Sequence, residues 1–277
     1  MKNNESKILV FIPAYRCAKQ IVRVLQQFSV EVQRLVDTVM VVDNRSPDDT
    51  LEVAQETGKQ IFTDCHFKVW LNKENYGLGG SHKAALRYAI ENGFTHLIVL
   101  HGDDQADIKD IVPLLRSGVH LENDCLLGAR FMKGSNLIGY STFRTFGNVV
   151  YNALFSLVVL KSVRDLGSGL NMYRLSALDS YYYETFPDDL TFNYLMLLGS
   201  YQKKQKIRFF PISWREEDQV SNVKIVRQAF KVLGLLAGYA FGRGSYLKKD
   251  VRTRRFDEYT GTIVYHKEVS ERNGVST

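Results

Sequence analysis

Two hydrophobic periods alternate through the first half of the chain, and that alternation restricts the fold more than any other feature. Short β-rich apolar runs occur at "KILVFIPAY" (7–15), "TVMVVDN" (38–44), "FKVWLN" (67–72), "THLIVLHG" (95–102) and "DCLLGARF" (124–131). Between most of them lie stripes at helical spacing: Ile21, Val24, Leu25 and Phe28, then Ala84, Ala85, Tyr88 and Ala89, then Ile108, Ile111, Val112 and Leu115. Asp48 and Ser81 are placed to cap helix starts, and Gly58 and Gly93 to end helices. Apolar strands separated by helices predict an α/β fold, a mostly parallel sheet with helices on both faces. Ligands of such sheets bind beyond the carboxyl ends of the strands. The groups to inspect there are 13–16, 43–45, 72–75 and 101–105, all polar or charged.

After about residue 132 the rhythm becomes aromatic and helix-like. A strand is expected at "KIRFFPISW" (206–214), then an amphipathic helix in "NVKIVRQAFKVLGLLAGYAF" (222–241) and a basic tail. This divides the chain into 1–220, with halves 7–131 and 132–220, and a helical extension with tail at 221–277. A net charge of +6 and a pI near 9.1 favour anionic partners, among them nucleotides, lipid phosphates and membrane surfaces. Cys17, Cys65 and Cys125 lie far apart with no CxxC spacing, which argues against a zinc site or a disulfide framework and fits a reducing compartment. The N-terminus lacks the pattern of a signal peptide, and the longest uncharged run, Thr145 to Leu160, falls short of a membrane span. The expectation is a cytoplasmic protein, peripheral at the inner face of the membrane.

Three stretches carry chemistry, each with a structural alternative. In "VVDNRSPDDT", Asp43 ends a strand, where its carboxylate can accept from a base or ribose or simply organise a turn. "NKENYGLGGSHKAAL" brings Gly77, Gly79 and Gly80 to a helix start. Such backbone can approach a phosphate or allow tight helix packing, and it matches neither a Walker A loop nor GxGxxG. "HGDDQ" is the sharpest. Asp103 offers a charged oxygen, Gln105 a neutral one and His101 an imidazole, a set suited to Mg²⁺ or Mn²⁺; the alternative is capping by Asp104 or Asp107 of the helix that follows.

Taken in order, "FIPAY", "VVDNRSPDDT", "NYGLGGSHKAAL" and "LHGDDQADI" resemble the family 2 glycosyltransferases with the nucleotide-sugar (GT-A) fold. The sequence resembles in particular the branch of dolichyl-phosphate mannose synthases and polyprenyl-phosphate glycosyltransferases. The resemblance continues through "LLGARF", "RTFGNVVYNALFSLVVL", "DLGSGLNMYR" and "FFPISWREEDQVSN", about residues 7–230. It implies that Pro13, Ala14, Tyr15 and Asp43, with Gly77 and Gly79, contact a nucleoside-diphosphate sugar. It also implies that His101, Asp103 and Gln105 hold the divalent cation and the donor's diphosphate. Asp165, Ser168 and Gly169 match the D-x-x-S-G loop near the acceptor, and Ser221 falls on the acceptor side. Arg130 and Arg144 match basic positions that meet an acceptor phosphate. The chain departs from the family pattern at Arg16 and Cys17, usually Asn and Glu, at His101, usually Asp, and at Asn171, usually Arg.

The implied reaction is an inverting, metal-dependent hexosyl transfer to a polyprenyl (dolichyl or undecaprenyl) phosphate, with Asp103, Asp165, Arg130 and Arg144 as the catalytic set. A lipid phosphate needs no base, whereas a sugar hydroxyl in a surface polysaccharide needs one, for which Asp165 is the candidate. A non-catalytic nucleotide- or lipid-binding relative is the further alternative. Lys224, Arg227 and Lys231 on one helical side, followed by a tract holding Arg243, Lys248, Lys249, Arg252, Arg254 and Arg255, fit docking on an anionic membrane. No nucleic-acid-binding motif accompanies these charges.

Overall fold

The computed structural model describes residues 6–216 and 225–269. The first half is a set of β-α crossovers: β1 (Ile8–Ala14), α1 (Ala18–Gln26), α2 (Val30–Gln33), β2 (Thr38–Asp43), α3 (Thr50–Ile61), β3 (His66–Asn72), α4 (Gly77–Glu91) and β4 (His96–Leu100). Next come α5 (Val112–Arg116), α6 (Val119–Glu122), β5 (Cys125–Ala129), β6 (Asn136–Ile138), α7 (Thr142–Val159) and β7 (Leu170–Arg174). The chain finishes with α8 (Thr191–Gln202), β8 (Ile207–Pro211), β9 (Ser213–Arg215), α9 (Ile225–Gly242) and β10 (Gly261–Lys267).

Eight strands form one sheet in the order β10-β3-β2-β1-β4-β7-β5-β8, and β6 pairs with β9 beside it. β1, β2, β3 and β4 are mutually parallel; the unbroken apolar runs of β1, β2 and β4 are covered on both faces, whereas β3 alternates buried and half-buried positions. Along β1, Ile8, Val10 and Ile12 enter the core beneath α1 and α3, whereas Leu9 and Phe11 enter the core beneath α4, α8 and α9. The order reverses between β1 and β4. Polar residues at the ends of β1, β2 and β4 therefore collect at one edge.

Two strands run against the grain. β7 is antiparallel to both β4 and β5, and β10 lies antiparallel along β3. Residues 261–267, expected as part of the tail, thus belong to the main sheet. Their alternating half-exposure is that of an edge strand, a weaker sequence signal than the buried runs. Gly58 does not end a helix. It sits inside α3, where a Cβ would lie 2.0 Å from the Phe67 ring, so its lack of a side chain admits a fully buried aromatic worth about 1.5–3 kcal/mol of burial. Ser81 likewise sits within α4 and accepts from Asn72 Nδ2, while Asp49 takes the N-cap position of α3 and Asp48 binds the Thr50 hydroxyl. Gly93 does follow the end of α4, with φ +69°. No helix among the described residues is long and apolar enough to cross a membrane.

Candidate active site

The ends of β1 and β2 are in register, Pro13 beside Val42 and Ala14 beside Asp43. The backbone knits these ends to β4, with Gly102 N–H donating to the Pro13 carbonyl (3.1 Å) and Asn44 N–H to that of Ala14 (2.9 Å). Tyr15 is exposed at this edge, with the Arg16 guanidinium 5.6 Å from its ring centre. Asp43 is buried. Its Oδ1 accepts from Ser46 N–H (2.9 Å), while Oδ2 has no partner among the described residues, and burial pushes the carboxyl up. Pro13, Ala14, Tyr15 and Asp43 are therefore brought together, with an unspent acceptor between them.

Beyond β4 the two adjacent carboxylates separate. Asp104, with φ +59°, turns inward and is gripped by Arg23 Nε (2.6 Å), Gln27 Nε2 (3.0 Å) and an Arg215 amine (3.2 Å). Asp103 receives the Gln105 N–H (3.2 Å), and no Lys or Arg pairs with it among the described residues. Burial pushes its carboxyl up to about 6, with Asp104 and Glu216 adding to the rise. His101 carries a buried Nε2 with no partner. Burial, helped by Arg130, holds its imidazole down at about 4, so it is neutral with a lone pair free. Among the described residues no group of three or more His, Cys, Asp or Glu forms a closed metal cage. One carboxylate, one amide and one neutral imidazole suit a hard ion that keeps most positions for substrate oxygens.

The glycine stretch does something else. Gly77 and Gly79 lie against the segment before α8, where a Cβ would come within 2.4 Å of the Asp188 carbonyl and 2.3 Å of the Pro187 carbonyl respectively. Gly79 N–H donates to the Asp188 carbonyl at 2.7 Å. The start of α4 is thus capped by the protein's own backbone, so Gly77 and Gly79 are packing residues and not a phosphate cradle. Lys83, fully buried on the same helix, donates to Asp188 (2.8 Å), which also accepts from Tyr259 (2.7 Å) and Thr253.

On the acceptor side, Arg130 and Asp165 form a buried fork. Arg130 Nε and one terminal amine each reach Asp165 at 2.8 Å, and the Arg130 backbone N–H adds a third bond at 2.9 Å. Both Asp165 oxygens are occupied, which removes it as a free base, and Arg130 spends its Nε and one terminal amine on that pair. The guanidinium also lies 4.7 Å from the Trp214 ring centre. Gly169 sits between His101 and Trp214, where a Cβ would come 3.2 Å from His101 Cβ. Ser168 is buried and donates to the Leu170 carbonyl (3.0 Å), so its hydroxyl is spent within the loop. Arg144, at the start of α7, pairs with Glu216 at 2.5 Å. Ser221 lies outside the described residues.

Trp214, Arg215 and Glu216 were not singled out in the sequence as site residues. They lie within "FFPISWREEDQVSN", which carries the resemblance but gives them no role, and the β9 bridge to Ala106 is what brings them to the site.

The family model described as "Glycosyl transferase family 2" matches residues 9–182. The chain is 25% identical over 172 residues to an undecaprenyl-phosphate mannosyltransferase of Micrococcus luteus, covering 62% of this chain and 68% of that protein. It is 25% identical over 226 residues to a dolichol-phosphate mannosyltransferase of Pyrococcus furiosus, covering 79% of this chain and 60% of that one. Among solved structures, glucosyl-3-phosphoglycerate synthase from Mycobacterium tuberculosis, in complex with Mn²⁺, UDP and glucosyl-3-phosphoglycerate, superposes with a TM-score of 0.62 at 16% identity, over 86% of this chain and 81% of that one. This last likeness speaks to the fold alone.

Proposed function

Because the chain belongs to glycosyl transferase family 2, with the GT-A fold of its structural neighbours, we propose that it moves a hexosyl group from a nucleoside-diphosphate sugar to a polyprenyl phosphate, with inversion. The observation that carries this reading is Asp103, a half-buried carboxylate with no cationic partner among the described residues, at the edge where β1, β2 and β4 end. Such a group is unfavourable alone and is relieved by a cation. Asp103, with Gln105 and His101, would hold Mg²⁺ or Mn²⁺, which supplies charge neutralisation at a diphosphate leaving group.

The residues of this chain do the rest. Asp43 Oδ2 accepts from the nucleotide, and Pro13, Ala14 and Tyr15 form the wall beside it. The acceptor oxygen attacks the anomeric carbon as the bond to the diphosphate breaks, and the nucleoside diphosphate leaves with the electron pair. A phosphate acceptor is already anionic. That suits a site whose nearest candidate base, Asp165, is locked to Arg130, and it favours a lipid phosphate over a sugar hydroxyl. Two curated relatives are named for polyprenyl-phosphate mannosyl transfer, which supports the acceptor class. Such an acceptor places the protein at a membrane surface. Residues 1–220 form the catalytic unit in this reading, with 221–277 returning a strand to its sheet.

The test is thermal stability against UDP, GDP, dTDP and CDP, each with Mn²⁺, Mg²⁺ or EDTA. A ligand at a hundred times its Kd adds about 2.7 kcal/mol, a rise of several degrees. One nucleotide is expected to stabilise only with metal, and Asp103→Asn to abolish that shift. No shift with any nucleotide makes the chain a non-catalytic relative. Turnover on a glycan hydroxyl but not on a lipid phosphate moves the acceptor class to a sugar.

A further inference from the structure

Two helices plant one side in the core and leave the other bare. α7 buries Phe155 and Asn152, α9 buries Val232, Leu235 and Leu236, and the two helices are in contact. On their other sides Phe143, Phe146, Leu157, Leu160, Phe230 and Phe241 are between 68% and 92% exposed. Positions 143, 146, 150, 154 and 157 recur at helical spacing, so α7 carries one continuous apolar stripe along its 18 residues, a length of about 27 Å. Water gives no reason to keep such a stripe.

The charges say what covers it. From 125 to 164 the sequence contains no Asp or Glu, yet it carries Arg130, Lys133, Arg144, Lys161 and Arg164. From 219 to 249 there is again no acid, against six Lys and Arg. With a net charge of +6, the remainder of the chain is therefore net acidic. The segments outside the described residues, "MKNNE", "EDQVSNVK" and "SERNGVST", are polar and offer no apolar cover. A second copy seated here two-fold would set cations against cations.

We propose that the outer sides of α7 and α9 form a docking surface for an anionic lipid bilayer, with α7 lying in the interface plane and its aromatic stripe among the acyl chains. The inference rests on the lipid-phosphate reading and adds the surface that would serve it. Arg144 at the start of α7 pairs with Glu216, whose charge acts on Asp103, so the stripe begins at the mouth of the site. The basic tail is less suited to docking than its sequence implied. Arg252, Arg254 and Arg255 are already paired, with Asp250, Glu74 and Asp257.

The experiment is co-sedimentation of the full chain with vesicles of phosphatidylcholine alone or mixed equally with phosphatidylglycerol, with no acceptor added. Binding to the mixed vesicles is expected to exceed binding to phosphatidylcholine by roughly tenfold or more. Phe143→Ser with Phe146→Ser and Leu157→Ser should abolish it. Lys161→Glu with Arg164→Glu, a second variant of exposed side chains only, should weaken it by roughly tenfold or more. Both variants must keep the nucleotide-dependent thermal shift of the parent, which certifies the fold. Equal pelleting of parent and triple variant overturns the proposal, as does no pelleting of the parent. So does a dimer, by sedimentation velocity, that the triple variant dissolves while vesicles stay unbound. Turnover of a polyprenyl phosphate in detergent separates the two readings. Turnover without vesicle binding sinks the docking surface alone, whereas vesicle binding without turnover sinks the acceptor and leaves the surface standing.

Discussion

Between Asp103 and Asp104 the backbone passes into the left-handed region, and the two carboxylates part company. Their substitutions should part as well. Asp104→Asn removes the charge that Arg23, Gln27 and Arg215 hold, at an expected cost of about 2–3 kcal/mol in chemical denaturation. Asp103→Asn should keep the thermal midpoint at or above that of the parent, since it discharges a half-buried carboxylate with no cationic partner among the described residues, while turnover is lost. A midpoint that falls with Asp103→Asn would make that residue structural. The sequence assigned the cation to Asp103 and offered Asp104 only as a helix cap; it could not show how Asp104 is held, because the residues that hold it come from 23, 27 and 215. The same holds for Gly77 and Gly79. Their local pattern allows a phosphate cradle, and only the carbonyl of Asp188, more than a hundred positions later, shows that the place is taken.

At the scale of elements, Lys83 joins α4 to the segment before α8 and to the stretch that precedes β10. Its ammonium is buried with Asp188, and Tyr259 and Thr253 complete the shell. Burial lowers the Lys83 pKa. For Asp188 burial acts upward, and the hydrogen bonds from Lys83, Thr253 and Tyr259 outweigh it and bring the carboxyl down. Lys83→Met strands that carboxylate and should cost about 3–5 kcal/mol by urea unfolding. A loss below 1 kcal/mol, on the order of a surface pair, would show the network to be ornamental. The buried strands β1, β2 and β4 were legible because their apolar runs have no other use, and β3 because Phe67, Val69 and Leu71 alternate along it. β7 and β10 were not: "LNMYR" is short and mixed, and "GTIVYHK" buries neither face fully. Both are defined by the neighbours they pair with.

For the whole molecule, burial holds several imidazoles neutral. His82 is lowered to about 3 and His96 to about 4, in each case mainly by burial, and His120 is lowered for the same reason. In the unfolded chain these groups take up protons near pH 6.5, whereas in the folded chain they do so only at lower pH, well below it for His82 and His96. Below pH 6.5 the unfolded state therefore binds more protons. Stability is full above that pH and is lost as pH falls toward 4. His96 alone, 5% exposed, should cost about 3 kcal/mol across that window, or roughly 10 °C in thermal midpoint. His96→Phe should flatten the profile between pH 6.5 and 4, and an unchanged slope would remove His96 from the account.

The pairing of β10 with β3 has a consequence for synthesis. β3 is complete at residue 72, but the strand that covers its outer edge ends at residue 267. A ribosome adding 5–20 residues per second leaves that edge open for roughly ten to forty seconds, with its backbone donors and acceptors free to template another chain. Nascent chains of this protein, and any product cut short of residue 261, carry the same open edge. Chaperone demand and inclusion-body formation should therefore follow the last tenth of the sequence, far from the residues that do the chemistry.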